Sequence, residues 1–280
     1  MSGRTQGHRP AGSGAPAPGS FAPPVGTGAP VSGSGAAAAG DPAVARKPSS
    51  ILAGAVGWEG AVNARRVAGD IFRMGRAEWL TAAGWQQAYD DGVRTIVDLR
   101  NPGERSRRPT DPVVPPAALE RFTVLNRPTE EPGHPELAAN APYMNHPRFY
   151  LDNVRIFPQL IAEVFRTLAQ AEGAVVVHCS AGRDRTGLVS MMLLQLAGVP
   201  AGQIADAHEL GIRGINDWHR ISPYRHPVES YISGDELEAR VADMRGSLLQ
   251  VLSQLDVEPF LLRHGLARSD IEALRARMAG

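Results

Sequence analysis

Apolar positions alternate between strand-like runs and helix-like stripes along most of the chain. Residues 93–99 and 174–178 are short apolar runs rich in β-branched side chains, which is typical of strands buried in a sheet, and residues 121–126 read as another strand. Residues 58–74 have an extended pattern that turns at a Gly-Asp pair. The order of these elements predicts an α/β fold in which a small central sheet is flanked by helices.

Helical spacing of apolar residues lies between and after these runs. It covers residues 80–91 and residues 151–171. Residues 187–196 are apolar on nearly every side, which predicts a buried helix. The rest of the chain is predicted to be helical, and capping-box sequences place helix starts near Gly234 and Asp270.

Two segments show neither pattern. Gly, Ala, Pro and Ser supply 36 of the first 50 residues, which is too little apolar bulk to offset the entropy of ordering the chain. We therefore expect residues 1–50 to be a disordered tail and residues 51–280 to form one domain. Residues 127–147, rich in Pro, Asn, Glu and His, predict a long loop that is either a lid or a disordered insertion.

Charge and cysteine content narrow the class of protein. The 29 basic residues balance the 29 acidic residues, which argues against a nucleic-acid-binding protein. No apolar run approaches the ~20 residues that span a bilayer, and the N-terminus lacks the layout of a secretory signal. The single cysteine excludes an intrachain disulfide. We expect a cytoplasmic protein without an integral membrane segment, with export without a cleaved signal left open.

The segment from His178 to Gly187 reads His-Cys-Ser-Ala-Gly-Arg-Asp-Arg-Thr-Gly and joins a predicted strand to the buried helix. A short glycine-containing loop at such a junction directs backbone N–H groups at one point, and the helix N-terminus adds its positive dipole end, so the loop predicts an anion site. Cys179 begins the loop, where these donors and cationic neighbours favour the thiolate, which is the nucleophilic form. Arg185, six positions later, is placed to hold two phosphate oxygens in a bidentate fork.

The other loop residues have predicted roles in holding the anion. Glycine at position 182 lets the backbone bend close to the ligand, and the hydroxyl at position 186 is expected to hydrogen-bond the sulfur and stabilise it as a leaving group. The predicted phosphate-binding residues are Ser180, Ala181, Gly182, Arg183 and Thr186.

This loop resembles the phosphate-binding loop of cysteine-based tyrosine and dual-specificity phosphatases. More narrowly, it resembles the bacterial tyrosine phosphatase family typified by protein tyrosine phosphatase B, whose loop reads His-Cys-x-x-Gly-Lys-Asp-Arg-Thr-Gly. Residues 63–65, 71–76 and 95–104 are similar to that family's Asn-x-Arg, Tyr-Arg-Ser and Asp-Leu-Arg-x-x-x-Glu segments, so the resemblance extends over most of residues 58–280.

The chain departs from the family pattern at several positions. Arg183 stands where the family has a loop lysine, and Met74 stands where it has the serine of Tyr-Arg-Ser. Ala64 and Arg66 replace the Phe and Asp of the family's Asn-Phe-Arg-Asp segment, so packing near that segment is expected to differ.

The resemblance implies a tyrosine-phosphatase-like catalytic domain over residues 51–280 that hydrolyses phosphate monoesters without a metal or other cofactor. The Cys179 thiolate attacks phosphorus to give a phosphocysteine, which water hydrolyses, while Arg185 and the loop amides stabilise the equatorial oxygens. The implied partner is a phosphorylated protein, with phosphotyrosine or also phosphoserine and phosphothreonine, or a phosphoinositide. Arg183 would add a cation for a second phosphate.

The general acid is the least defined part of this mechanism. Asp184 lies within the loop, and an Asp at that position serves in lipid phosphatases with a similar loop, so it is the first candidate. The family places an Asp after the strand of residues 121–126, where Thr129 stands here. Glu130, or its neighbour Glu131, is the alternative acid.

Three residues are expected to support the loop without reacting. Asp98 is expected to orient Arg100 or the loop, and His178 is expected to stabilise the loop by hydrogen bonds. The tryptophans, including Trp79 and Trp218, are most simply packing residues.

Two other functions remain as alternatives. A catalytically weak module of the same fold would bind phosphorylated partners without turnover, but such a module would not need the Cys179 thiol. A sulfur-transfer or arsenate-reducing enzyme with the same loop geometry fits the Arg-Asp-Arg-Thr-Gly ending poorly, and arsenate reduction is further disfavoured by the lack of a second cysteine.

Overall fold

The computed structural model of this chain describes residues 54–140, 145–226 and 229–280, without the side chains of residues 138–140. The predicted tail over residues 1–50 lies outside the described residues and stays a prediction. No helix in the described part of the chain combines the length and apolarity needed to cross a bilayer.

Five strands form one sheet in the order β1-β2-β5-β3-β4. The first two strands pair antiparallel, and all other neighbours pair parallel. Because β2 to β5 run in the same direction, their carboxyl ends meet at one edge of the sheet, where open α/β sheets bind ligands. The strands are Arg65–Ala68 (β1), Ile71–Met74 (β2), Val93–Asp98 (β3), Thr123–Asn126 (β4) and Ala174–His178 (β5).

Nine α-helices occur in the described residues and cover the sheet on two faces. The predicted α/β fold with a small, helix-flanked sheet is thereby confirmed. The helices are Ala82–Asp90 (α1), Pro135–Asn140 (α2), Tyr150–Ile156 (α3), Pro158–Gln170 (α4), Arg185–Leu196 (α5), Ala201–Ile221 (α6), Gly234–Gln254 (α7), Val257–Arg263 (α8) and Arg268–Ala279 (α9).

The central strand β5 divides the core because its side chains alternate between faces. Val175 and Val177 pack into a large cluster with apolar side chains of α4, α5, α8 and α9. Val176 packs on the other face, with Trp58 and Trp85 near α1. Burial on both faces explains the uninterrupted apolar run of β5, and it fixes the end of the strand at the centre of the carboxyl edge.

The helices differ from the prediction at three places. The helix predicted over residues 151–171 is two helices, because Pro158 has no N–H to continue the hydrogen-bond ladder and begins α4 instead. The last helix begins at Arg268, two positions before the residue near which its start was predicted, and the Asp270 carboxylate accepts a hydrogen bond from the Ala267 N–H at 3.2 Å. The loop predicted over residues 127–147 contains the short helix α2.

Candidate active site

The loop over residues 179–184 links β5 to α5 at the carboxyl edge of the sheet. The backbone carbonyl oxygens of the loop accept hydrogen bonds from other parts of the chain. The backbone N–H groups of residues 180–184 have no partner among the described residues. The loop therefore has backbone donors available to a ligand, as an anion cradle requires. The donors to the carbonyls are Arg76 N–H to Ser180 (2.9 Å), Asn63 Nδ2 to Ala181 (2.9 Å), Arg73 Nη2 to Gly182 (2.5 Å) and the Tyr150 hydroxyl to Asp184 (2.9 Å).

Glycine at position 182 is required by a close approach between the loop and β2. Gly182 has φ of 67°, and a Cβ there would lie 2.6 Å from backbone atoms of Met74 and Gly75. Any other residue would push the loop away from the end of β2. The predicted bend therefore has a definite cause, which is backbone-to-backbone packing beneath the anion cradle.

Cys179 begins this loop, Arg185 directly follows it as the first residue of α5, and both line one cavity of about 510 Å³. Arg185 forms a bidentate ion pair with Glu104, in which Nη1 and Nη2 donate to the carboxylate oxygens at 2.6 and 2.7 Å. This pairing occupies one edge of the guanidinium. The edge that carries Nε has no partner in the described part of the chain, so it remains free to donate to an anion.

Arg183 is buried and paired twice. Its Nε donates to both carboxylate oxygens of Asp184 at 3.0 and 3.1 Å, and its Nη2 donates to Glu229 at 2.6 Å. Two carboxylates thus compensate its charge. The expectation that Arg183 supplies a free cation for a second phosphate is not met in this structure, because the folded chain itself provides the anions.

Of the four acidic side chains that line this cavity, Glu130 and Asp184 are the two predicted proton donors, and they differ in their surroundings. Glu130 is buried, with Oε1 3.5 Å from Arg185 Nη1 and Oε2 without a hydrogen-bond partner among the described residues. Burial raises the pKa of Glu130, although Arg185 opposes the shift. Burial also raises the pKa of Asp184 against the opposing charge of Arg183, but both oxygens of Asp184 are hydrogen-bonded.

Asp98, Arg100 and His178 form a buried group that does not line the Cys179 cavity. Asp98 accepts hydrogen bonds from the N–H and Nε of Arg100 at 3.0 and 2.9 Å, and its other oxygen lies 3.8 Å from His178 Nε2. Burial alone would raise the pKa of Asp98, but the Arg100 hydrogen bond holds that pKa below its usual range. This group joins the ends of β3 and β5, so its geometry supports the loop from behind.

Thr186 is buried, and its hydroxyl has no hydrogen-bond partner within the described residues. The expected hydrogen bond to the Cys179 sulfur therefore stays a prediction. No group of three or more His, Cys, Asp or Glu side chains suited to a metal ion occurs in residues 54–140, 145–226 and 229–280.

A family model described as "Tyrosine phosphatase family" matches residues 57–280. The chain belongs to the tyrosine phosphatase family. Relatives include a tyrosine-protein phosphatase of Nostoc commune, 32% identical over 130 residues, and a putative tyrosine-protein phosphatase of Cupriavidus necator, 31% identical over 158 residues. These matches cover 43% and 53% of this chain and 44% and 55% of the relatives, so the chain spans about half the length of the curated relatives it matches.

The structure is also similar to solved structures of Pseudomonas aeruginosa TpbA. The TpbA variant crystallised with phosphotyrosine is 19% identical to this chain, with a TM-score of 0.44. The match covers 79% of this chain and 100% of the TpbA chain. A second TpbA structure is 18% identical, with a TM-score of 0.38. This match covers 73% of this chain and 92% of the TpbA chain.

Sequence reasoning missed several residues that line the cavity of this tyrosine phosphatase family member. Glu104 was visible as the last residue of the Asp-Leu-Arg-x-x-x-Glu segment, but its ion pair with Arg185 is set by the fold. The tryptophans assigned to packing also line the cavity, with ring centroids 5.1 Å apart. No local motif marks the missed lining residues, which include Trp79, Arg108, Trp218, His219, Tyr224 and Glu229.

Proposed function

We propose that this protein hydrolyses phosphotyrosine in protein substrates, with Cys179 as the nucleophile. The observation that carries the proposal is the loop itself. Four of its residues with unpaired N–H groups line the same cavity as Cys179 and Arg185, and the Nε edge of Arg185 has no partner among the described residues. Such a cradle binds the three non-bridging oxygens of a phosphate and stabilises the charge that they carry in the transition state.

The reaction has two steps. The Cys179 thiolate attacks phosphorus, a sulfur–phosphorus bond forms, and the bond from phosphorus to the tyrosine oxygen breaks, with a carboxylic acid donating its proton to that oxygen. Water then attacks the phosphocysteine and gives its proton to the same carboxylate. The sulfur–phosphorus bond breaks, and inorganic phosphate leaves while the thiolate returns.

Glu130 is the favoured proton donor. A general acid must hold its proton near neutral pH and have an oxygen free to reach the leaving group. Burial raises the pKa of Glu130, and its Oε2 has no partner in the described part of the chain. Asp184 remains the second candidate, since burial raises its pKa as well, but its carboxylate is held by Arg183.

The cavity walls favour an aromatic phosphate ester. Trp79, Trp218 and Tyr224 line the space above the loop, and aromatic side chains pack well against a phenyl ring. Hydrolysis of phosphoserine, phosphothreonine or phosphoinositide would not use these walls in the same way. A second phosphate of a phosphoinositide would need a cation such as Arg183, whose charge is compensated within the fold.

The decisive experiment compares wild type with Cys179→Ser on a phosphotyrosine peptide in the presence of a metal chelator. We expect wild-type turnover and no turnover by the variant, which retains peptide binding because serine preserves the loop. A wild type that binds the peptide without hydrolysing it would identify a phosphate-binding module instead. Residual wild-type-like activity in Cys179→Ser would exclude the cysteine mechanism.

A further inference from the structure

Arg108 contributes a cation to the wall of the Cys179 cavity. Its side chain is half-buried, and its guanidinium carbon lies 3.8 Å from the centroid of the Tyr224 ring. Tyr224 is itself held in a turn, because its N–H donates to the Ser222 hydroxyl at 3.1 Å and that hydroxyl donates to the Tyr224 carbonyl at 2.9 Å. The cation is therefore supported on a fixed aromatic ring.

Arg108 differs from the other arginines around this cavity. Arg183 and Arg185 each face two carboxylates, and Arg76 pairs with Glu78 and with Asp111 at 3.3 and 2.9 Å. The Arg108 side chain has no carboxylate within ion-pair distance among the residues that the structure describes; only its backbone N–H donates to Asp111.

The energetic consequence is a partly buried cation whose charge is compensated only in part. Burial lowers the pKa of Arg108 and the charge of Arg76 lowers it further, whereas Tyr224, Asp111 and Glu78 act in the opposite direction. A half-buried charge without an ion-pair partner is costly, and an anion that enters the cavity would relieve that cost. The ion pair is thus complete only when a ligand supplies the negative group.

Building on the proposed function, we infer that Arg108, supported on Tyr224, forms a second anion subsite, which binds the carboxylate of an acidic residue next to the phosphotyrosine of a protein substrate. The subsite and the phosphate cradle share one cavity, so one peptide can occupy both. Binding at Arg108 would select among phosphotyrosine sequences without taking part in the reaction.

A single carboxylate fits this cavity better than a polyphosphorylated head group. Besides the three arginines, the cavity is lined by four acids, which would repel a ligand that carries several phosphates. The aromatic walls also suit a peptide with phosphotyrosine. The lining charges are Arg108, Arg183 and Arg185 against Glu104, Glu130, Asp184 and Glu229.

The test uses two phosphotyrosine peptides that differ only in having Glu or Gln beside the phosphotyrosine. With the full chain, we expect kcat/KM to be about fivefold higher for the Glu peptide, the size of a partly exposed ion pair. Arg108→Gln should bring the ratio to about one, and Arg108→Lys should leave a smaller preference. The matched control is Arg107→Gln, which removes the same charge from the adjacent exposed position and should keep the wild-type ratio.

The Cys179→Ser variant allows the affinities of the two peptides to be measured without turnover. We expect the ratio of these affinities to show the same preference for the Glu peptide. Binding that depends on Arg108 and on the Glu side chain, together with no hydrolysis by wild type, would refute the proposed function and support the subsite. Equal values for the two peptides, or a preference that survives Arg108→Gln, would overturn the subsite. Faster hydrolysis of phosphatidylinositol phosphate vesicles than of either peptide would also overturn it.

Discussion

Arg183 in the loop and Arg185 at the start of α5 each face two carboxylates, yet the two groups of charges differ in their free hydrogen-bonding atoms. On one side, Arg185 is held by Glu104 and leaves a guanidinium edge and one Glu130 oxygen without partners in the described residues. On the other side, Arg183 joins Asp184 and Glu229, and each of these carboxylates is hydrogen-bonded.

The difference shows why charge alone does not identify a binding group. Arg183 and Arg185 are separated by one residue in the sequence. Arg183 is buried, and Arg185 is largely buried. What separates them is the number of unused donors and acceptors that remain after folding. The Arg185 group retains capacity to bind and to transfer a proton, whereas the Arg183 group has the saturated pairing of a structural support.

The sharpest test of this contrast exchanges each arginine for lysine. Arg185→Lys should lower kcat on a phosphotyrosine peptide by about 10²–10³, because a lysine cannot hold Glu104 and two phosphate oxygens at once. Arg183→Lys should act mainly on stability, since it weakens a buried ion-pair group. Steady-state kinetics and urea unfolding of both variants separate the effects. An equal loss of kcat in the two variants would contradict the contrast.

The next test compares the two candidate acids. Glu130→Gln should lower kcat/KM by about 10², whereas Asp184→Asn should cost much less. Because a proton donor must be protonated, activity should fall as pH rises through the raised pKa of Glu130, and Glu130→Gln should abolish that decline.

A substrate with a good leaving group provides the control for this test. An aryl phosphate whose phenol is acidic needs little protonation, so the loss in Glu130→Gln should shrink on that substrate. If Asp184→Asn removes the pH-dependent decline and Glu130→Gln preserves it, the proton donor is Asp184.

The smallest expected effect is on the pH dependence of the free energy of unfolding. Glu229, beside Arg183, and Glu130, beside Arg185, should change it in opposite directions. Burial opposes ionisation of Glu229, but hydrogen bonds from His219 and Arg183 hold its pKa well below the usual range. Its contribution to the free energy of unfolding is therefore present at neutral pH and lost as pH falls. The pKa of Glu130 is raised, so its ionisation costs stability as pH rises above the usual range of a glutamate.

Urea unfolding at about pH 3 and about pH 8 checks these signs, since the contribution of Glu229 is lost only as pH falls below the usual range of a glutamate. The free energy of unfolding of each variant is compared with that of wild type at both pH values. As pH rises, Glu229→Gln should become less stable relative to wild type, and Glu130→Gln should become more stable relative to wild type. Changes of the same sign in both variants would mean that the two carboxylates have similar environments.

Much of the architecture follows from the local pattern of residues. The run over residues 174–178 could only be a strand buried on both faces, and the apolar helix after it had to be internal, so the loop that contains Cys179 was placed between them without a structure. The split at Pro158 was missed because the apolar stripe continues across it, and the stripe was read as one helix.

By itself, the sequence determined the α/β fold, the position of the anion loop and the identity of the chemical groups within it, because these depend on neighbours along the chain. The tertiary structure alone decided which charges are free, because pairing depends on residues that are distant in sequence. Glu104 lies 81 positions from Arg185 and Glu229 lies 46 positions from Arg183, and Arg108 meets Tyr224 only in the folded chain. No local pattern encodes those encounters, and they decide that the Arg183 charge is paired within the fold whereas the Arg108 side chain has no carboxylate within ion-pair distance among the described residues.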